Sequence, residues 1–98
     1  MITITMEMPI KPGMLPAFQT AIAAAIKQAA ARPGCRGIRV LPPMQGEDKA
    51  LIYEEWDSAD DHKAYLAWRA EGNPAVGMAE CVAGPPTVQF WGEVIATA

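Results

Sequence analysis

The sequence predicts an α+β fold: a ferredoxin-like split βαββαβ domain with a four-stranded antiparallel sheet, helices on one face, and an extra short helix before the last strand. Three observations carry this. Residues 2–8 alternate strictly between apolar and polar, the period of a half-buried strand. Residues 14–31 and 59–70 switch to the period of a helix. A short polar connection separates the second and third strand patterns, which favours an antiparallel hairpin. With 98 residues, the chain is expected to form one domain over residues 1–98.

The elements follow in order. Ile2, Ile4, Met6 and Met8 point one way and Thr3, Thr5 and Glu7 the other, and Pro9 ends the strand. Lys11-Pro12-Gly13 is a turn. From Met14 to Ala31, Leu15, Phe18, Ile22, Ala25, Ile26 and Ala29 form one apolar stripe. Pro16 suits the first turn, where its missing N–H costs little, and Arg32-Pro33-Gly34 stops the helix. Cys35 to Leu41 reads as the second strand, closed by Pro42-Pro43, and Gln45 to Asp48 as a polar turn. Ala50 to Trp56 is the third strand.

Ser58 is placed to cap a second helix from Ala59 to Ala70, with Asp60 and Asp61 at the positive end of its dipole. Glu71-Gly72 ends that helix. Asn73-Pro74 reads as a further N-cap and first helical position, opening a short helix to Ala83. Gly84-Pro85-Pro86 breaks the chain, and Thr87 to Ile95 is the last strand, with Val88, Phe90, Gly92 and Val94 opposite Gln89, Trp91 and Glu93.

Both faces of the third strand carry bulk: Ile52 and Trp56 on one, Leu51 and Tyr53 on the other. Helices cover only one face, so a second subunit on the other is the economical expectation. Size points the same way, because a domain this small buries only about two-thirds of its unfolded surface.

The net charge of −3 argues against nucleic acid as the main partner. Charge is uneven: residues 1–43 hold Lys11, Lys27, Arg32, Arg36 and Arg39 against Glu7, and later residues are mainly acidic. That asymmetry reflects either two sides of one domain or complementary surfaces of two copies. Cys35 and Cys81 make no disulfide framework, and a single histidine leaves no His/Cys cluster for a metal. The chain starts directly in a strand pattern without a leader, and no apolar run is long enough to span a bilayer, so a cytoplasmic location is expected.

The Lys11-Pro12-Gly13 turn, Arg32 to Gly37, Tyr53-Glu54-Glu55-Trp56-Asp57-Ser58, and Gly84 to Val88 come in an order that resembles the antibiotic biosynthesis monooxygenase family over nearly the whole chain. The resemblance implies a homodimer with its two sheets packed face to face, and a pocket in each subunit between helices and sheet. It implies a cofactor-independent oxygenase of a small aromatic or polyketide-like phenol or quinol. An isomerase or cyclase on the same scaffold, and a dimeric ligand-binding module without catalysis, are the alternatives. Many members carry a histidine where this chain has Tyr65, and His62 stands where a large apolar residue is common. The haem-degrading branch needs a histidine near Ala75, which this sequence lacks.

His62, Tyr65, Leu66 and Arg69 share one helical face. His62 is the natural general base because its ordinary pKa is close to neutrality. Tyr65 suits hydrogen bonding to an oxyanion, and Arg69 pairing with a phenolate, unless both serve the fold. Of Glu54 and Glu55, one points to each face of the sheet. The one near buried material is either a structural ion-pair partner or, if it faces a pocket, a carboxyl with a raised pKa. Phe18, Tyr53, Trp56 and Trp68 supply flat surface for an aromatic, fused-ring substrate, or for packing. No nucleotide-binding motif is present, so chemistry here would run without cofactor or metal.

Overall fold

The computed structural model describes residues 1–46 and 48–98. The expected order holds: β1 (Ile2–Pro9), α1 (Leu15–Ala30), β2 (Cys35–Leu41), β3 (Lys49–Trp56), α2 (Ala59–Ala70), α3 (Met78–Cys81) and β4 (Thr87–Trp91). The polar turn before β3 includes Glu47, which lies outside the described residues. The four strands form one antiparallel sheet in the order β2-β3-β1-β4. The two strands with the most continuous apolar alternation thus take the centre, and the β2–β3 hairpin forms as expected.

Period two decides what each face meets. Along β3, Ala50, Ile52, Glu54 and Trp56 are buried, while Lys49, Leu51, Tyr53 and Glu55 lie on the other face. Register aligns Ile4 of β1 and Ile38 of β2 with Glu54. Helix α1 lays Phe18, Ile22, Ala25 and Ala29 on the covered face. Phe18, Ile22 and Ala25 join Met8, Ile10, Ala50, Ile52 and Cys81 in the core. Burying a side chain the size of Phe18 or Ile22 contributes about 2–3 kcal/mol each. The alanines between them let the helix approach the sheet closely.

Helix α2 begins as the sequence predicts, with the Asp61 amide donating to Ser58 Oγ at 3.1 Å. The chain enters it from β3 through Asp57, whose amide donates at 2.8 Å to the carbonyl of Gly34, in the turn between α1 and β2. Gly34 has φ +82°, and a Cβ there would collide with the Asp61 side chain. Glycine is therefore required by both backbone conformation and space.

Two boundaries differ from expectation. The helix read from Asn73-Pro74 to Ala83 is only Met78–Cys81. Asn73 does not open it. Its side-chain amide donates to the Trp68 carbonyl at 2.9 Å, closing the end of α2 instead, and Gly77 at φ +86° delays the new helix. The last strand, expected to reach Ile95, ends at Trp91. Trp91 already pairs with Thr3, so β1 has almost no residues left to template more ladder. Beyond it the Met1 ammonium meets Glu93 Oε1 at 2.7 Å, and Val94 and Ile95 are exposed.

Among the described residues no helix is long and apolar enough to cross a membrane. Two ion pairs, Arg36 with Asp57 and Lys49 with Glu7, join residues of the first 43 positions to later ones.

Candidate functional site

The covered face of the sheet carries two polar side chains that its apolar surroundings do not explain. Glu54 on β3 and His62 on α2 are 5% and 4% exposed. Glu54 is placed there by strand alternation, on the same side as Ile52 and Trp56. His62 is placed by the Ser58 cap, which sets the phase of α2 and turns its first inward position onto the end of β3.

Trp56, fully buried, links them. Its Nε1–H donates to Glu54 Oε1 at 2.9 Å, and its ring lies edge-on to His62, with centroids 5.5 Å apart. Tyr65, one turn along α2, is 5.2 Å from the Trp56 ring. Phe90 of β4 approaches His62 from the other side at 5.7 Å. His62 Nε2 is buried and has no hydrogen-bond partner among the described residues. Burial pushes the imidazole below its ordinary pKa, so the neutral, proton-accepting form is favoured. Burial also pushes the Glu54 carboxyl up, only partly opposed by the Trp56 hydrogen bond.

Glu54, His62 and Tyr65 line one cavity of about 140 Å3, otherwise walled by apolar side chains including Met6, Ile38, Ile52, Leu66 and Met78. An apolar cavity of about 150 Å3 holds benzene, so this one suits a single ring better than a fused system. Its wall at Ile22 and Ile26 is shared with a groove of about 370 Å3 along α1, which Phe18, Leu15 and Val40 also line. Among the described residues no cluster of His, Cys, Asp and Glu could hold a metal ion.

Of the residues singled out in the sequence, the fold brings His62, Tyr65 and Trp56 together. Arg69 is beside them but turned toward α1. Its guanidinium donates to Tyr65 Oη (2.9 Å), Gln28 Oε1 (2.7 Å), the Ala25 carbonyl (2.9 Å) and the Asn73 carbonyl (3.2 Å). This is a clamp between the two long helices, and it leaves the Tyr65 hydroxyl as acceptor from Arg69 with its own proton still to donate. Phe18 belongs to the neighbouring groove. Trp68 does not line the cavity: the Arg32 guanidinium lies 4.7 Å from the centroid of its ring, which also stacks on Tyr65 at 6.3 Å. Tyr53 is on the helix-free face, where Arg39 stacks on it at 4.9 Å, so it is separated from the cavity by the sheet. Glu54 is the site residue the candidate set lacked. Its signal was legible: it alternates in phase with Ile52 and Trp56.

The model of the family described as "Antibiotic biosynthesis monooxygenase" matches residues 1–70. Among curated proteins none matches. Solved structures superpose over almost the whole chain. SnoaB of Streptomyces nogalater, a cofactor-independent oxygenase, gives a TM-score of 0.82 at 14% identity, covering 97% of this chain and 94% of its own. A candidate antibiotic biosynthesis monooxygenase of Bordetella bronchiseptica gives 0.75 at 21% identity, covering 96% and 97%. Another, of Nitrosomonas europaea, gives 0.77 at 21% identity, covering 96% and 99%. At these identities the likeness concerns the fold, whereas the family match spans most of the sequence: the chain belongs to the antibiotic biosynthesis monooxygenase family.

Proposed function

We propose that the protein is a cofactor-independent monooxygenase acting on a single-ring phenol or quinol bound in the cavity between α2 and the sheet. The observation that carries this is the ring-sized, otherwise apolar cavity lined by His62, held in its neutral form by burial, and by Tyr65. Family membership supports the reaction class. His62 takes the phenolic proton, and Tyr65 donates to the oxyanion that results. Arg69 acts through Tyr65, holding its hydroxyl by the 2.9 Å bond. The electron-rich anion then reacts with dioxygen itself. One oxygen atom stays as the new carbonyl and the other leaves as water, with every electron supplied by the substrate. Phe18 and the groove beside it accommodate a ring substituent, and Trp56 packs behind His62 and Tyr65.

Oxygen uptake on a panel of substituted hydroquinones tests the assignment. His62→Gln is expected to lower turnover by about a hundredfold or more, the usual contribution of a positioned base. An unchanged rate on every substrate the wild type accepts would remove His62 from the mechanism.

The helix-free face supports a homodimer by sheet-to-sheet packing. Tyr53, Leu51, Leu41 and Trp91 lie on it, and Leu41 and Trp91 are 45% and 52% exposed. Leu51→Glu is expected to shift a dimer to monomer in sedimentation at micromolar concentration. A wild-type monomer at that concentration would overturn the pairing.

A further inference from the structure

We propose that the cleft between the C-terminal ends of α1 and α2 is a second binding site, which takes a small aromatic hydroxycarboxylate on the guanidinium of Arg32. The cleft shares no lining residue with the cavity of Glu54, His62 and Tyr65, and the proposal does not depend on the reaction assigned to that cavity.

Two arginines flank the Trp68 ring here, Arg32 at 4.7 Å and Arg69 at 5.1 Å from its centroid. Their charges therefore lie within about 10 Å of each other, the reach of a charge at 0.1 M salt. The Arg69 guanidinium is satisfied by Tyr65, Gln28 and two backbone carbonyls. Arg32 is not satisfied. Among the described residues no carboxylate pairs with it, and its Nε has no hydrogen-bond partner. That Nε is buried, so a ligand meets the terminal amines instead. The indole holds the half-buried side chain in place through its ring face, and this leaves the N–H groups of those amines free to donate.

The other lining groups select what the anion carries. The cleft has a volume of about 290 Å3, with Ala31, Pro74 and Trp68 as its apolar walls and Gln28 and Asn73 beside Arg32. Among the described residues no acidic side chain lines it. Gln28 Oε1 accepts from Arg69 Nη1 at 2.7 Å, which leaves the Gln28 amide hydrogens to donate. Asn73 has the opposite polarity. Its amide donates to the Trp68 carbonyl at 2.9 Å, which leaves Oδ1 to accept. A carboxylate accepts from Arg32 and Gln28, a charge-assisted arrangement that suits the planar guanidinium. A hydroxyl elsewhere on the ligand donates to Asn73. An apolar cavity of about 150 Å3 holds benzene, and this cleft has room for one ring with two polar substituents.

The test is a titration of isotope-labelled protein with sodium 4-hydroxybenzoate at constant ionic strength, read at the indole N–H resonance of Trp68. A saturable shift through the millimolar range is expected, with the Trp91 resonance unmoved. Methyl 4-hydroxybenzoate keeps the ring and hydroxyl but not the charge. It should bind at Trp68 at least about tenfold more weakly, the effect of losing one charge-assisted hydrogen bond. Arg32→Gln should weaken binding of the acid by a similar factor. Gln28→Glu keeps an acceptor for Arg69 and puts a negative charge in the cleft, so it should abolish the shift, and it decides the matter if the Arg32 variant does not fold. His62→Gln should leave the shift at Trp68 intact, because the cavity of His62 is a separate space. No shift in the wild type, full affinity in Arg32→Gln or Gln28→Glu, an ester bound as tightly as the acid, or loss of the shift in His62→Gln would each defeat the proposal. None of these outcomes bears on oxygen uptake, so the oxygenase reading stands or falls apart from it.

Discussion

Trp56 Nε1 donates to Glu54 Oε1 at 2.9 Å, two residues back along the same strand. Strand alternation puts both side chains on the covered face, so the indole satisfies a carboxyl oxygen that no water-exposed surface reaches. Trp56→Phe keeps most of the ring volume and removes the donor. It is expected to cost about 1–3 kcal/mol, the penalty of leaving a buried acceptor unpaired. Chemical denaturation measures this. The paired variant Trp56→Phe with Glu54→Leu should recover part of the loss, because the orphan disappears along with its partner.

His62 and Glu54 shift in opposite directions, and their contributions to stability run opposite ways with pH. The folded state lowers the His62 pKa, so it favours the neutral ring. That contribution is present above the ordinary imidazole value of about 6.5 and is lost as pH falls through the folded-state value. The folded state raises the Glu54 pKa, so it favours the neutral acid. That contribution is present below the ordinary carboxyl value and is lost as pH rises through the folded-state value. Urea denaturation across pH is expected to show the stability gap between wild type and His62→Gln shrinking toward acid. The gap between wild type and Glu54→Gln should shrink toward neutral pH. Parallel profiles would count against both.

Arg69 holds Tyr65, Gln28, and the carbonyls of Ala25 and Asn73 with one guanidinium. Lysine preserves the charge but lacks the planar fork. Arg69→Lys is expected to lower stability by about 2–4 kcal/mol, since several hydrogen bonds from a charged donor are lost together. In the proposed mechanism Tyr65 takes its orientation from this bond, so turnover is expected to fall as well.

Gly34 sits where the chain turns from α1 into β2, at φ +82° and against Asp61. Gly34→Ala combines a left-handed backbone penalty of about 1–2 kcal/mol with a clash against the first turn of α2. A drop in melting temperature of at least several degrees is expected. Adding Asp61→Ala should relieve the clash and leave the backbone part, less the Ser58 Oγ contact that Asp61 also makes.

Much was legible in the chain itself. The alternation of residues 2–8 and 50–56, the apolar stripe of α1, and the Ser58 cap are local patterns, and local patterns survive into the fold because each satisfies its own backbone and face. The same alternation linked Glu54 to Trp56 and separated it from Tyr53. Where expectation and structure part, the cause is non-local. Asn73 looks like an N-cap in sequence but finds a carbonyl of the preceding helix. The last strand ends because β1, far away in sequence, has run out.

The sequence by itself determined the order of elements, the two faces of every strand, and the helical face shared by His62 and Tyr65. Only the tertiary structure decided which strand face meets the helices. A period of two defines two faces but carries no information about what covers either. That decision put Glu54 rather than Glu55 beside His62, sent Tyr53 to the open face, and turned Arg69 into a clamp between helices. It also set the cavity at the size of one ring, because that volume is what remains after side chains from β1, β2, β3 and both long helices have packed together.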